Sequence, residues 1–167
     1  MTVQKIDTFD WAFWFLWILA TALGWFLGGV LLSGIGLVPS GVAIAFLQWL
    51  VLKPRITKAW RWIVVSLIGW SIGWGISLIT YSLDFDFVNG MVIGATTGTA
   101  QWLILRREIQ WSGWWIAVSA VAWAAGISLL PGIMMSGTIA GVITGIALEL
   151  LLRNPKSLVE DKSDYAR

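Results

Sequence analysis

The chain contains no cysteine and no histidine, and only 12% of its residues are charged. The first absence excludes disulfides and thiol chemistry; the second removes the imidazole ligand and the commonest general base. Nucleophilic triads and most metal sites cannot be assembled from what is left. The carboxylates are scattered along the chain, at Asp10, Asp84, Asp86, Glu108 and Glu149 among others, with no lysine inside an apolar run to form a Ser-Lys dyad. No glycine-rich loop has the setting of a phosphate-binding turn. The chain therefore reads as a non-enzyme without a metal site, and its composition names no cofactor. A net charge of +2, with the basic residues gathered in short loops, gives no reason to expect nucleic acid.

What fills the sequence instead is apolar. Hydrophobic residues make up 58% of the chain, with 14 Trp and 18 Gly, far from the roughly 25% charge of soluble domains. The apolar runs are continuous rather than alternating, and near the ~20 residues that an α-helix needs to cross the hydrocarbon layer. Six candidate spans follow: about Trp11 to Leu32, Ile35 to Leu52, Ala59 to Tyr81, Phe87 to Leu105, Ser112 to Leu130 and Ile133 to Leu152. Pro39 falls in a first turn, where its missing N–H has no helical partner. Pro131 and Gly132 mark a tight turn. The first run lacks a basic leader and a small-residue cleavage pattern, so it reads as a retained span rather than a signal peptide.

Lysine and arginine fall on one side. Lys53, Arg55, Lys58 and Arg61 follow the second span, Arg106 and Arg107 the fourth, Arg153 and Lys156 the sixth, while the connection at 82–86 carries only Asp84 and Asp86. The positive-inside rule puts both termini and the basic loops in the cytoplasm, beside anionic lipid head groups. The expected organisation is one transmembrane domain over 1–158 and a polar, disordered tail over 159–167.

An internal repeat organises the spans. Aligned on Trp17, Trp62 and Trp115, the odd spans carry Thr21, Ser66 and Ser119 four residues on, Trp25, Trp70 and Trp123 eight on, and Gly28, Gly73 and Gly126 eleven on. These offsets occupy one helix face, within about 80° of arc. The even spans align Gly41, Ala45 and Gln48 with Gly94, Gly98 and Gln101, and with Gly141, Gly145 and Leu148. Such small-residue columns let helix backbones approach closely in lipid. The expected fold is all-α and polytopic: three tandem helical hairpins, about 9–53, 54–106 and 107–153, in a pseudo-threefold bundle. The glycine-lined even helices are expected innermost, with the tryptophan-bearing odd helices around them.

The candidate site residues are the polar and aromatic members of these stripes. Gln48 and Gln101 sit in matching phrases, QWLVLK and QWLILR, where the third copy reads LELLLR. The amides either cap their helix ends or receive a neighbouring indole N–H, from Trp62 or Trp115, or else form a polar ring that binds a head group, ion or pigment metal through the amide oxygens. Glu149 either pairs with Arg153, four residues on, or relays a proton or cation. Trp25, Trp70 and Trp123, with Thr21, Ser66 and Ser119, either wall a groove for a lipid, carotenoid or other pigment or act as packing knobs. QWLILRR from Gln101 to Arg107, preceded by GMVIGATTGTA and followed by GWWIAVSAVAWAAG, is similar to a group of small Trp- and Gly-rich cyanobacterial-type multi-pass membrane proteins. That resemblance brings no activity with it and implies a photosynthetic bacterial membrane, plasma or thylakoid. The expected function is a non-enzymatic membrane scaffold or subunit that binds an apolar ligand or joins a larger complex. The alternative is a small transporter or oligomeric channel.

Overall fold

The computed structural model describes residues 8–31, 38–80, 86–129 and 133–156. The loop aspartate Asp84, the Pro131–Gly132 turn and the 159–167 tail lie outside the described residues. Among the described residues there are six α-helices: α1 Trp11–Phe26, α2 Val38–Leu52, α3 Arg61–Thr80, α4 Asp86–Leu105, α5 Trp114–Ser128 and α6 Ile133–Leu152. Each falls on one of the six apolar runs. Near Gly28 and Gly29 the α1 helix widens into a π-helical segment, Leu27–Leu31. There the Gly28 backbone lies so close to α2 that a Cβ would sit 2.1 Å from the Ser40 Cα.

Three helices are long and apolar enough to cross a membrane, over Trp11–Gly29, Arg61–Ile79 and Met135–Leu152; Pro39–Leu52 and Trp114–Ser128 are shorter apolar helices. Their outward faces are greasy. Phe15, Leu19 and Leu23 on α1, Ile68, Ile72 and Ile76 on α3, and Ile146 and Leu150 on α6 are all exposed.

Each helix packs against its neighbours in chain order, and α6 returns to α1. The glycines make this possible. A Cβ at Gly94 would lie 2.3 Å from the Ser119 carbonyl oxygen, and one at Gly126 2.6 Å from that of Ser136. Gly41 faces the Trp70 ring, Gly73 the Ile93 backbone, Gly98 the Ser119 side chain, Gly141 the Ile18 backbone and Gly145 the rings of Trp14 and Trp17. Ala45 is fully buried. Even-helix glycines thus receive the following odd helix, with α6 receiving α1, while Gly28, Gly73 and Gly126 receive the next even one. In lipid such backbone approach substitutes for hydrophobic driving force.

The expectation that even helices line the centre is corrected. It is the odd helices whose side chains meet there. Trp17, Trp62 and Trp115 pack mutually, with ring centroids 5.9, 6.3 and 6.0 Å apart. Trp25, Trp70 and Trp123 do the same at 6.1, 5.5 and 5.0 Å. Indoles are too large to sit between helices in backbone contact, so the glycine columns seat neighbouring helices at the perimeter and the rings fill the space they enclose. All six pairs are edge-to-face or tilted, worth about 0.5–1.5 kcal/mol each beyond the area they bury.

Candidate functional site

The polar groups of the interior are arranged around the first tryptophan layer. Trp62 Nε1 donates to Gln48 Oε1 at 3.1 Å, and Gln48 Nε2 donates to Thr21 Oγ1 at 3.1 Å. Trp115 Nε1 donates to Gln101 Oε1 at 2.9 Å, and Gln101 Nε2 to Ser66 Oγ at 2.9 Å. Each glutamine therefore bridges the two odd helices that flank its own. The indole contacts weighed from the sequence are formed, and both amides are buried. Amide and indole have complementary donors and acceptors, so each pair satisfies a buried N–H that would otherwise cost about 1–3 kcal/mol.

Where the sequence pattern breaks, the bonding changes with it. Leu148 occupies the glutamine register on α6 and is fully buried. Trp17 Nε1 instead donates to Thr144 Oγ1 at 3.0 Å, one turn earlier on that helix. Ser119, in register with Thr21 and Ser66, has a buried Oγ without a hydrogen-bond partner among the described residues. A leucine side chain has no N–H to give it. Thr97 holds on α4 the position of Thr144 on α6, and its Oγ1 is also buried without a partner. Thr97 and Thr144 are the residues the sequence reading missed; a hydroxyl one turn before the glutamine register was their signal.

Trp25, Trp70 and Trp123 are buried against one another, so their rings turn inward rather than along an outward groove. Trp25 Nε1 has no hydrogen-bond partner among the described residues.

At the arginine- and lysine-rich end, charged groups lock the helix termini. Asp10 caps α1, accepting from the Phe13 amide at 2.9 Å, and pairs with Arg55 beyond α2. Its own amide donates to Glu149 Oε1 at 2.9 Å, and Arg153 Nε lies 2.9 Å from Glu149 Oε2. Glu149 is thus paired one turn along its helix as its spacing suggested, and also holds the start of α1. The Phe13 amide and then the Arg55 guanidinium hold the Asp10 carboxyl below its ordinary range, against the opposing effect of burial. Glu108 accepts from the Thr57 amide at 3.0 and 3.2 Å and from the Thr57 hydroxyl, tying the α4–α5 loop to the α2–α3 loop. Beyond α6, Lys156 N donates to the Glu108 carbonyl at 2.9 Å, and Gln110 N to that of Asn154 at 2.9 Å.

A groove of about 540 Å³ opens at this same end between α3 and α4, lined by Lys58, Arg61 and Arg107 with Trp60, Val64 and Leu103 among its apolar wall. Among the described residues no group of three or more carboxylates is gathered to hold a metal ion. The chain matches no family model, no curated protein and no solved structure.

Proposed function

We propose that the chain is a non-enzymatic integral membrane scaffold or subunit that crosses the bilayer six times. In this reading the three tandem hairpins surround a pseudo-threefold axis along the membrane normal. Both termini and the basic loops face the cytoplasm, in the plasma or thylakoid membrane of a photosynthetic bacterium. Support for the membrane comes from the apolar outer faces of α1, α3 and α6. Support for the repeat comes from residues in register that bond alike, Gln48 to Trp62 and Thr21, and Gln101 to Trp115 and Ser66.

One observation carries the scaffold reading over the transporter reading. The space enclosed by the helices is filled by two layers of three tryptophans. A solute path through the centre needs polar or mobile groups there, and displacing interlocked indoles is costly. The outer surface, by contrast, offers leucine, isoleucine, valine and phenylalanine ridges suited to another membrane protein. Association with a larger complex is favoured over pigment binding at Trp25, Trp70 and Trp123, whose rings face one another.

The test is purification in mild detergent, with absorption spectrum, mass and co-purifying partners recorded, followed by reconstitution into liposomes. A stoichiometric protein partner and tight liposomes are the expected result. Liposomes that leak, with the leak abolished by Gln48→Leu plus Gln101→Leu, overturn it in favour of a channel.

A further inference from the structure

We propose that the groove between the start of α3 and the end of α4 is a specific site for one anionic, phosphate-bearing diacyl lipid. The site rests on the membrane reading above but not on the scaffold role. Its mouth carries three cations, Lys58, Arg61 and Arg107, and its floor continues over Val64, Val65, Leu103 and Ile104. None of the three cations has an ion-pair partner among the described residues. Glu108 and Thr57 also line the groove, the carboxylate accepting from the Thr57 amide and hydroxyl, so the cations outnumber the lining carboxylate three to one. Trp60 is 57% exposed beside it, with the Arg61 guanidinium 5.9 Å from its ring centroid.

This is the sequence of environments that a phospholipid presents along its own length. A phosphate meets guanidinium donors, the glycerol region meets an indole edge, and an acyl chain lies along exposed Val64 and Leu103. The volume of about 540 Å³ admits a head group and the first part of a chain. A soluble anion uses only the mouth and leaves the apolar floor uncovered.

The register makes the site single. Positions aligned with Lys58, Arg61 and Arg107 are Trp111, Trp114 and Asn154 in the third hairpin, and Phe13, Leu16 and Pro54 in the first. None of these is a cation. At these positions the other two hairpins offer no cation to a phosphate, and one lipid per chain is the expected stoichiometry. Lys58 adopts a left-handed backbone with φ 50°, as does Trp111 at φ 58°; the turn is shared and only the side chain differs.

The experiment is native mass spectrometry of the purified full chain, titrated with phosphatidylglycerol and with phosphatidylcholine of the same acyl chains. One phosphatidylglycerol binds first and in preference. Arg61→Gln with Arg107→Gln weakens it roughly thirtyfold, the effect of two basic residues at an anionic surface. Lys53→Gln with Arg106→Gln removes the same charge from side chains that do not line the groove and changes binding much less. Leu103→Trp fills the floor, keeps every cation and also weakens binding; it decides alone if the double arginine variant does not fold.

Equal binding of the two lipids, or equal loss in the control variant, overturns the site. So does full displacement by millimolar inorganic phosphate, which marks a simple anion site. A chain that alkaline carbonate strips from membranes overturns the membrane reading and the lipid site together. A chain that stays in membranes without lipid preference overturns the site alone.

Discussion

Removing the two glutamines one at a time should not cost the same, although they sit in matching phrases. Gln48→Leu deletes the acceptor of the Trp62 indole and the donor to Thr21. Trp62 is fully buried, and the residue one turn before Gln48 is Ile44, which has no oxygen to offer. An orphaned buried donor costs about 1–3 kcal/mol, and the lost bond to Thr21 adds about 0.6 kcal/mol, the average for such contacts in lipid. Gln101→Leu deletes the corresponding two bonds, to Trp115 on α5 and Ser66 on α3, but Thr97 stands one turn earlier with a buried hydroxyl that has no hydrogen-bond partner among the described residues. That is the position from which Thr144 serves Trp17. The Trp115 indole can turn to it, so this substitution should cost about 1 kcal/mol or less. The assay is reversible unfolding in mixed micelles, followed by tryptophan emission. Gln48→Leu is expected to be the worse by about 1–2 kcal/mol. Adding Ile44→Thr should recover about 1 kcal/mol relative to Ile44→Thr alone, read as the coupling term of a double-mutant cycle. Equal costs, a reversed order, or no coupling would refute the reasoning that a hydroxyl one turn back can replace the amide.

Other expectations use the same methods. Leu148→Gln should join Trp17 and Ser119, giving Ser119 Oγ the donor it lacks and raising stability by up to about 1 kcal/mol; a loss above that size contradicts the register. Gly94→Ala puts a methyl 2.3 Å from the Ser119 carbonyl oxygen and should cost about 1–3 kcal/mol. Gly75→Ala meets nothing within 4 Å and should gain about 0.5–1 kcal/mol of helix propensity; the two together separate packing glycines from incidental ones. Asp10→Ala removes a helix cap and should cost about 1 kcal/mol at neutral pH. Because the folded chain lowers the Asp10 pKa, its contribution is complete above the unfolded value of about 3.9 and fades as pH falls through the lower folded value. Asp10→Asn should therefore flatten the acid limb of a stability profile while retaining a capping oxygen.

The helices and their faces were legible in the chain because both depend on local pattern. Apolar runs gave the six helices to within a few residues at most ends, and the offsets of four, eight and eleven residues put Trp17, Thr21, Trp25 and Gly28 on one stripe. What a stripe faces is a different matter. A glycine column and a tryptophan column each suit an interior, and only their sizes decide between perimeter seam and central filling. Gly94 against the Ser119 carbonyl and Trp62 against Trp17 settle that choice in opposite senses. The indole–amide bonds followed from complementary chemistry at similar depth, as did the Glu149–Arg153 pair from its spacing. The grip of Asp10 on Arg55 and of Glu149 on the Asp10 amide spans residues 45 and 139 apart. No periodicity carries contacts of that range. The basic groove is similar: Arg61 and Arg107 belong to separate loops that only the packing of α3 on α4 brings together.

Neighbouring helices touch through glycine around a perimeter while tryptophans from α1, α3 and α5 occupy the middle. Because the chain contains no cysteine, disulfide formation between introduced pairs in native membranes tests it directly. A Cβ at Gly141 lies 3.0 Å from the Ile18 Cα, within reach of a disulfide. Ile18→Cys with Gly141→Cys should therefore crosslink rapidly, and pairs among Ala45→Cys, Gly98→Cys and Gly145→Cys should not. Rapid crosslinking among positions 45, 98 and 145, with none between 18 and 141, would put the even helices at the centre and contradict the account.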